Sequence, residues 1–381
     1  MRKVFFGIGN IAEKTIKEIG LPDSFTDNSS ATWGHEWNGK VVQSPKELKS
    51  TDDVIICTTS YKDVIKQLVE LGIKNYQVSP VLKDTVEVDE IEDIEFDLLF
   101  ASGLPSSSKE KYGGGIFQLK GNFKKWDIQK IYSGNCHCIR KNNSTFSESY
   151  KYFVTDSNKG LVCFNQDLEQ IDLINFPLEK RIHGFEIYDD HLFIACSYGD
   201  EIISINLKDK KDKSFYSIKE FKLNNNNLPK HHINDLCVYD NYIYASMFSH
   251  SGSWQQGFLD GCIKKISIAT KEIVTIVRDL KMPHNITVAH NGYYLCNSLN
   301  GEVIKNNNTI FRSNGFTRGL NFKNDTMIVG ESKNRNFSNN KGVNLNSSLD
   351  SRINFVSLKT GAYKSVQLPW GISEIHSIIN Y

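Results

Sequence analysis

The sequence predicts two parts, a small parallel α/β sheet followed by a six-bladed β-propeller. Strands and helices alternate over residues 1–85, and one phrase then recurs six times over residues 96–381. The last copy of the phrase lacks a second strand, which the stretch FDLLFAS at 96–102 can supply. A repeat of this kind largely decides the fold, because each unit buries its apolar face only against its neighbours.

The N-terminal part opens with an apolar strand, a glycine turn and an amphipathic helix in KVFFGIGNIAEKTIKEIG. A second strand ends at Asp27, and DDVIICTTS with YKDVIKQLVELGIK adds a buried strand and another helix. This alternation predicts a small parallel sheet over 1–85. The acidic stretch 86–95 is the expected linker to the propeller.

The turn GIGNIA is the short form of the dinucleotide-binding fingerprint, so this part is expected to be Rossmann-like. Its glycines let a phosphate approach the backbone at a helix N-terminus. Asp27 lies about 20 residues further on, where an acidic residue binds a ribose hydroxyl. The candidate cofactor-binding residues are Gly7, Gly9, Asn10, Ile11 and Asp27.

Two considerations narrow the prediction of a nucleotide site. The same glycine turn also serves tight strand–helix packing, and a full dinucleotide fold needs two such halves. A nucleotide or nucleotide-sugar is therefore favoured over NAD as the ligand.

The stretches FGIGNIAEKTI, TDN, VVQSPKEL and DDVIICTTSYKDVIKQLVELGI resemble the short Rossmann-like domains attached to bacterial enzymes of surface-polysaccharide and nucleotide-sugar metabolism. The resemblance covers roughly the first 80 residues. It implies a bacterial protein with a role in making capsule or O-antigen glycans.

The repeated phrase opens on a histidine or arginine and closes on a serine. Openings recur on average every ~48 residues, a period that suits four-stranded propeller blades. A propeller must also hide the edge between its first and last blades, so the final strand is expected to pair with 96–102. The opening and closing residues are His137 and Ser157, His183 and Ser197, His232 and Ser246, His284 and Ser298, Arg318 and Ser332, and His376 without a partner.

Equivalent positions on the innermost strands place these opening residues around the central channel. Packing alone favours apolar residues there, although hydrogen bonds to neighbouring blades offer a structural explanation. His231 precedes a ring residue, and strand alternation points it away unless a bulge intervenes. The candidate catalytic residues are His137, His183, His231, His232, His284, Arg318 and His376.

Two ligands suit such a ring. Three imidazoles, those of His183, His232 and His284, are the candidate ligands for a divalent metal. Arg318 suits a phosphate or a sugar carboxylate instead. Two insertions, 249–261 and 333–352, interrupt the period; Trp254 in the first either stacks on a sugar or base or caps its blade.

The motifs HHINDL, MPHNITV, LCNSLNGEV, GFTRGLNF, VGESKNR and EIHSI resemble an uncharacterised bacterial family of six-bladed propellers. That resemblance implies the fold and no activity. The ring is also similar to those of histidine-lined propeller lyases, such as streptogramin B lyase and oligogalacturonate lyase. Those enzymes use a divalent metal and side-chain bases, and the similarity is an analogy of fold.

Bulk composition narrows the class of protein. The 381 residues carry 45 basic and 44 acidic side chains, a balance that gives no electrostatic case for binding nucleic acid or an anionic membrane. No apolar run reaches the length of a membrane helix, and no secretory signal is expected. Eight scattered cysteines without a CxxC pair favour a reduced, cytoplasmic protein.

The leading functional hypothesis is an enzyme of bacterial surface-glycan biosynthesis. It acts on a nucleotide-activated or phosphorylated sugar by proton transfer, as epimerase, isomerase or lyase, with histidines moving the proton. The alternatives are a non-catalytic sugar- or nucleotide-binding scaffold and an NAD-dependent sugar oxidoreductase. A divalent metal and a nucleotide are the candidate cofactors.

Overall fold

The computed structural model describes residues 1–104, 112–143, 149–176, 178–208, 213–217, 230–289, 292–335 and 346–381. Its contacts divide the chain into two compact units, Met1–Glu92 and Asp93–Tyr381. Residues 336–345, which form half of the second predicted insertion, lie outside the described part. No helix among the described residues is long and apolar enough to cross a membrane.

The first unit is a six-stranded sheet with three α-helices. Its strands are β1 (Lys3–Phe6), β2 (Ser24–Thr26), β3 (Glu36–Trp37), β4 (Lys40–Gln43), β5 (Asp53–Ile56) and β6 (Tyr76–Val78). Its helices are α1 (Asn10–Ile19), α2 (Tyr61–Glu70) and α3 (Lys83–Glu92). The strand order is β3-β4-β2-β1-β5-β6.

The sheet is mixed, whereas the sequence predicted a parallel one. Five strands run parallel, and β3 is antiparallel to β4 at one edge. The reason is the turn between them, where Asn38 and Gly39 both adopt positive φ (50° and 73°). An Asn-Gly pair in that conformation makes a two-residue hairpin, which can only join antiparallel strands.

Most of the predicted acidic linker is helical. Residues 86–92 belong to α3, so only residues 93 and 94 separate this helix from the first propeller strand. Asp89 on α3 accepts a hydrogen bond from the Tyr61 hydroxyl at 2.8 Å and forms an ion pair with Lys62. These contacts with α2 assign the helix to the first unit.

The second unit confirms the predicted six-bladed β-propeller. Its described residues form six antiparallel sheets of four strands each, in sequential order around the ring. Between each pair of neighbouring sheets lies an apolar cluster, and these six clusters form the core. The apolar strand faces thus bury one another blade by blade.

The first three sheets follow the chain. The first contains β10 (Cys136–Lys141), β11 (Tyr152–Asp156), β12 (Gly160–Phe164) and β13 (Gln170–Ile174). The second contains β14 (Ile182–Tyr188), β15 (His191–Cys196), β16 (Glu201–Asn206) and β17 (Lys213–Ser217). The third contains β18 (Ile233–Tyr239), β19 (Tyr242–Met247), β20 (Gly261–Ser267) and β21 (Ile273–Leu280).

The remaining sheets complete the circle. The fourth contains β22 (Pro283–Ala289), β23 (Gly292–Asn297), β24 (Glu302–Lys305) and β25 (Asn308–Arg312). The fifth contains β26 (Phe316–Lys323), β27 (Thr326–Ser332), β28 (Arg352–Ser357) and β29 (Tyr363–Gln367). The sixth contains β30 (Ser377–Asn380), β7 (Glu95–Ser102), β8 (Gly115–Asn122) and β9 (Trp126–Tyr132).

The sixth sheet joins the two ends of the propeller as the sequence predicted. The C-terminal strand β30 lies innermost and pairs antiparallel with β7, with Ser377 opposite Ala101 and Asn380 opposite Leu98. This pairing leaves no open edge between the first and last blades.

Candidate functional site

The six opening residues of the repeat lie on, or directly before, the innermost strand of each sheet. We call these residues the ring. In the first five sheets the pairing of the two inner strands shifts register next to the ring residue. A β-bulge re-aims side chains and often occurs beside functional sites. The ring consists of His137, His183, His232, His284, Arg318 and His376.

All six ring side chains line one cavity of about 630 Å³. This volume lies within the range of small-molecule sites. Adjacent imidazoles contact one another: the ring centroids of His137 and His183 are 4.2 Å apart and stacked, and those of His137 and His376 are 4.5 Å apart. The His183 and His232 centroids are 5.6 Å apart. The ring therefore forms a single site.

One side of the cavity is aromatic. The Phe248 and Trp254 rings each lie 4.5 Å from the His232 ring, centroid to centroid. Phe248 also packs against His284 at 5.2 Å. Trp254 thus faces the cavity beside His232, and the sequence had left its role open between stacking and capping.

The three candidate metal ligands have other neighbours in the cavity wall. Phe248 contacts both His232 and His284, and the His284 Nδ1 atom lies 2.9 Å from the Met282 carbonyl and 2.8 Å from the Ser298 hydroxyl. Throughout the described part of the chain, no group of three or more His, Cys, Asp or Glu side chains is placed to hold a metal ion. The assignment of His183, His232 and His284 as metal ligands therefore stays a prediction.

The other side of the cavity is charged. Glu374 forms an ion pair with Arg335 at 2.7 Å, and its second oxygen lies 3.0 Å from His376 Nε2 and 3.8 Å from Arg318. The Arg318 guanidinium is also 3.4 Å from His376 Nε2. A carboxylate in contact with an imidazole orients it and stabilises its protonated form.

The histidines of the ring are held neutral. Burial lowers the pKa of His183 to about 4, and the Arg318 and Arg181 cations act in the same direction. Burial is also the main cause that puts the pKa of His137 and His376 well below the usual range. The pKa values of His232 and His284 shift in the same direction. Neutral imidazoles at pH 7 are available as bases.

Three buried atoms of the ring have no hydrogen-bond partner among the described residues: His137 Nδ1, His232 Nδ1 and Arg318 Nε. Buried polar atoms in native proteins are usually paired, so each exception needs an explanation. A polar ligand in the cavity is one such explanation.

His231, predicted among the catalytic residues, does not line the cavity. Its Nδ1 atom lies 2.9 Å from the Ser249 carbonyl, and the residue is 1% exposed. It lies before β18, so strand alternation does not account for this orientation. The Asp200 carboxylate accepts hydrogen bonds from the backbone N–H groups of His231 and His232, and this holds His232 at its positive φ of 54°.

A second polar layer crosses the centre of the propeller, one or three residues after the ring positions. Arg140 pairs with Glu186 at 3.3 Å, approaches Asp235 at 3.8 Å and donates to the Ser377 hydroxyl at 3.0 Å. Asn285 donates to Asp235 at 2.7 Å and to the His376 carbonyl at 2.9 Å, and it accepts from the Gly319 N–H. We call Arg140, Glu186, Asp235, Asn285 and Ser377 the inner network.

Arg181, Tyr198 and Phe248 are among the residues of the cavity wall that sequence reasoning missed. Arg181 lies over the Tyr198 ring at 4.5 Å. It stands two positions before His183, as Glu374 stands two before His376. Because strand side chains repeat every two residues, that spacing was a usable signal for Arg181. Tyr198 and Phe248 follow the ends of second strands and carried no such signal.

The repeated serines have a structural role where their contacts are defined. The Ser197 hydroxyl donates to the Ile233 carbonyl of the next blade at 2.6 Å, and Ser332 donates to the Ile375 carbonyl at 3.1 Å. These hydroxyls join neighbouring blades. Ser298 instead contacts the ring residue of its own blade, His284.

The candidate cofactor residues of the first unit lie at the C-terminal edge of β1 and β2. Gly7 has φ +109°, and a Cβ atom there would lie 2.8 Å from the Cys57 carbonyl oxygen. Gly9 caps α1, which Asn10 and Ile11 begin, and the space around it is open. The Asp27 carboxylate accepts a hydrogen bond from the Ser29 N–H at 2.8 Å.

Fold and site together define a six-bladed β-propeller with a histidine- and arginine-lined cavity. Residues 217–380 match the family described as Domain of unknown function (DUF4915), and residues 1–79 match the one described as C2185-like, N-terminal. No curated protein matches the sequence.

Solved structures support the propeller. One match is the crystal structure of a nidogen/laminin complex, with 8% sequence identity and a TM-score of 0.52. The match covers 74% of the present chain and 97% of the matched chain in that structure. A protein of unknown function from Bacteroides caccae is 12% identical, with the same TM-score and the same coverage. Virginiamycin B lyase from Staphylococcus aureus is 12% identical over 61% of this chain and 70% of its own, with a TM-score of only 0.41. At these identities the likeness shows the fold alone.

Proposed function

We propose that the propeller cavity binds a small anionic sugar derivative and catalyses proton transfer on it. The observation that carries the proposal is the ring. Six equivalent positions on six blades all carry polar side chains that line one cavity, and the five histidines are held neutral there. Packing alone gives no reason for this uniformity.

His376 is the favoured proton-transfer residue, because Glu374 lies 3.0 Å from its Nε2 atom. A neutral His376, whose Nε2–H donates to Glu374, removes a proton through its Nδ1 atom from the carbon next to a carbonyl group. The electron pair of that C–H bond forms a C=C bond, and the π pair of the carbonyl group moves to its oxygen. The arginine cations on this side of the cavity stabilise the negative charge on this oxygen. Epimerisation, isomerisation and elimination all begin with this step, and return of the proton or loss of a leaving group completes them.

A sugar fits the two-sided cavity. Trp254 and Phe248 offer apolar faces beside His232, and the arginines on the other side suit an anionic group. The bacterial surface-glycan setting and a nucleotide-activated substrate rest on the resemblance of the first 80 or so residues alone.

Hydrogen exchange from solvent tests this function directly. The protein is incubated in D₂O with sugar phosphates, keto-sugar phosphates and uronates, and deuterium incorporation is followed by mass spectrometry. We expect one member of the panel to gain a carbon-bound deuterium, and His376→Gln to abolish the gain. The matched control is His191→Gln, whose imidazole contacts the Asp189 carbonyl at 2.8 Å and does not line the cavity.

Equal exchange in His376→Gln and wild type would contradict the assigned role of His376. If sugars bind but no member of the panel exchanges, the protein is the non-catalytic binding protein of the alternative hypothesis. Deuterium incorporation and sugar binding are therefore both measured on the same protein preparation.

The nucleotide site of the first unit stays a prediction with its own test. Gly9→Asp places a carboxylate at the cap of α1, where the space is open and aspartate is a favoured N-cap residue. The variant should keep its fold and lose affinity for a nucleotide through charge repulsion. Titration with UDP and with NAD separates a nucleotide or nucleotide-sugar site from the oxidoreductase alternative, and unchanged binding of both would remove the predicted site.

A further inference from the structure

Arg318 is a buried cation whose hydrogen bonds are incomplete. The residue is 5% exposed, and its Nε atom has no partner among the described residues. The nearest carboxylate, Glu374, is 3.8 Å away and is closer to Arg335 and to His376. Buried charges in proteins are normally paired and hydrogen-bonded, because an uncompensated one is destabilising. The cavity therefore presents a cation that lacks an anion.

The net charge of the cavity wall indicates how much negative charge a ligand must carry to balance it. Among the described residues that line the cavity, the charged side chains are Arg181, Arg318, Arg335 and Glu374, and there is no lysine or aspartate. With the imidazoles neutral, the wall carries two net positive charges. A carboxylate balances one of them, whereas a phosphate monoester carries roughly −1.5 to −2 at neutral pH and balances both.

We infer that the anionic group of the substrate is a phosphate monoester bound at Arg318, so that the ligand is a sugar phosphate rather than a sugar acid. This inference rests on the proposed sugar-binding function of the same cavity. The planar guanidinium donates through two N–H groups to phosphate oxygens, and the free Nε–H supplies one of them. The sugar ring lies toward Trp254 and His232, two blades away.

Calorimetric titration of the full chain with matched ligands tests the charge preference. The probes are glucose 6-phosphate, glucuronate, glucose and inorganic phosphate. We expect the sugar phosphate to bind at least about tenfold more tightly than glucuronate, because the phosphate balances both net positive charges of the cavity wall and the carboxylate balances only one. Inorganic phosphate should compete with it, and glucose should bind most weakly.

Variants of Arg318 test the assigned position. Arg318→Gln should lower affinity for glucose 6-phosphate at least about tenfold and leave the weak binding of glucose unchanged. Arg318→Lys keeps the positive charge but lacks the paired N–H donors of the guanidinium group, so it should give an intermediate affinity. This variant also serves as the test if Arg318→Gln does not fold. The control is Arg278→Gln on the outer strand β21, which is exposed and should not change binding.

Several outcomes overturn the inference. They are tighter binding of glucuronate than of glucose 6-phosphate, absence of competition by inorganic phosphate, and full affinity in Arg318→Gln. Failure of the proposed function looks different, since a protein that binds the sugar phosphate without catalysing deuterium exchange would keep this subsite and lose the enzyme. Deuterium exchange on a uronate without binding of the sugar phosphate would keep the proposed enzyme and remove the phosphate subsite.

Discussion

The ring and the inner network lie one or three residues apart along the same chain segments, yet they differ in how completely their polar groups are hydrogen-bonded. In the inner network Arg140, Asp235 and Asn285 each have hydrogen-bond or ion-pair partners on other blades. In the ring His137, His232 and Arg318 each keep a buried atom without a partner among the described residues. Both layers are polar and both sit at the centre of the propeller.

This difference distinguishes polar residues that hold the fold together from polar residues that are available to a ligand. A satisfied network holds six blades in register, since Asn285 alone fixes the backbone of His376 and Gly319. An unsatisfied layer costs stability and is retained where a ligand completes it. Polar residues at repeated positions therefore need their partners counted before a function is assigned.

The largest expected effect is on activity in the ring. His137→Gln should lower the rate of deuterium exchange about 10²- to 10⁴-fold, the usual contribution of a positioned acid or base. The free energy of unfolding should change little, because the Nδ1 atom of His137 has no partner to lose. Exchange rates and urea unfolding on the same preparation check both halves. Loss of fold together with activity would place His137 with the structural layer.

The inner network should show the opposite pattern. Arg140→Met leaves the buried Asp235 and the partly buried Glu186 without their cation, so the free energy of unfolding should fall by about 3 kcal/mol. Urea unfolding of the variant measures this, and Lys359→Met, which removes an exposed ion pair with Asp325, is the control. A stability equal to wild type would remove the structural role of this layer.

Acidification should weaken the fold through the ring. The pKa of His183 is about 4 in the folded protein against an ordinary 6.5, so the unfolded chain binds more protons between these values. Stability is then present above pH 6.5 and is lost as the pH falls toward 4. Asp235 acts in the opposite direction, because burial raises its pKa to about 6.

His183→Gln measures the share of the ring in this pH dependence. The wild type should lose about 2 kcal/mol more than the variant between pH 7.5 and pH 5, by linkage from the shifted pKa of His183. Urea unfolding at the two pH values gives the comparison. Equal losses in both proteins would show that His183 keeps an ordinary pKa in the folded state.

The smallest effect concerns the repeated serine. Ser197→Ala removes a hydrogen bond to the Ile233 carbonyl and should destabilise the protein by about 1 kcal/mol without changing deuterium exchange. Thr155→Val, which removes a similar bond to the His183 carbonyl at 2.7 Å, is the companion variant in another pair of blades. A loss of activity without loss of stability would move the serine to the functional layer.

The repeat made most of the propeller predictable. The spacing of the ring residues indicated the blade number, and the unpaired copy at His376 indicated that β30 pairs with β7. These features depend on local sequence, so one chain is enough to read them.

Other features depend on distances between blades, which no local pattern contains. Phe248 comes to lie against both His232 and His284, a contact that could not be predicted from the sequence. The partners of Arg140 come from other blades and could not be paired from sequence. In the first unit the Asn38–Gly39 hairpin was readable, but its strand of two residues is too short to show a period.

Closure of the propeller couples ligand binding to folding. Glu374 and His376 directly precede β30, a four-residue strand, so detachment of that strand also removes two groups from the cavity wall. A ligand that touches them binds the closed ring more tightly than the open one and slows opening by mass action. Amide exchange at Ser377–Asn380 should therefore report occupancy of a cavity whose ligand never contacts those amides. In thermodynamic terms, binding of the substrate and pairing of the last strand stabilise each other by the same free energy.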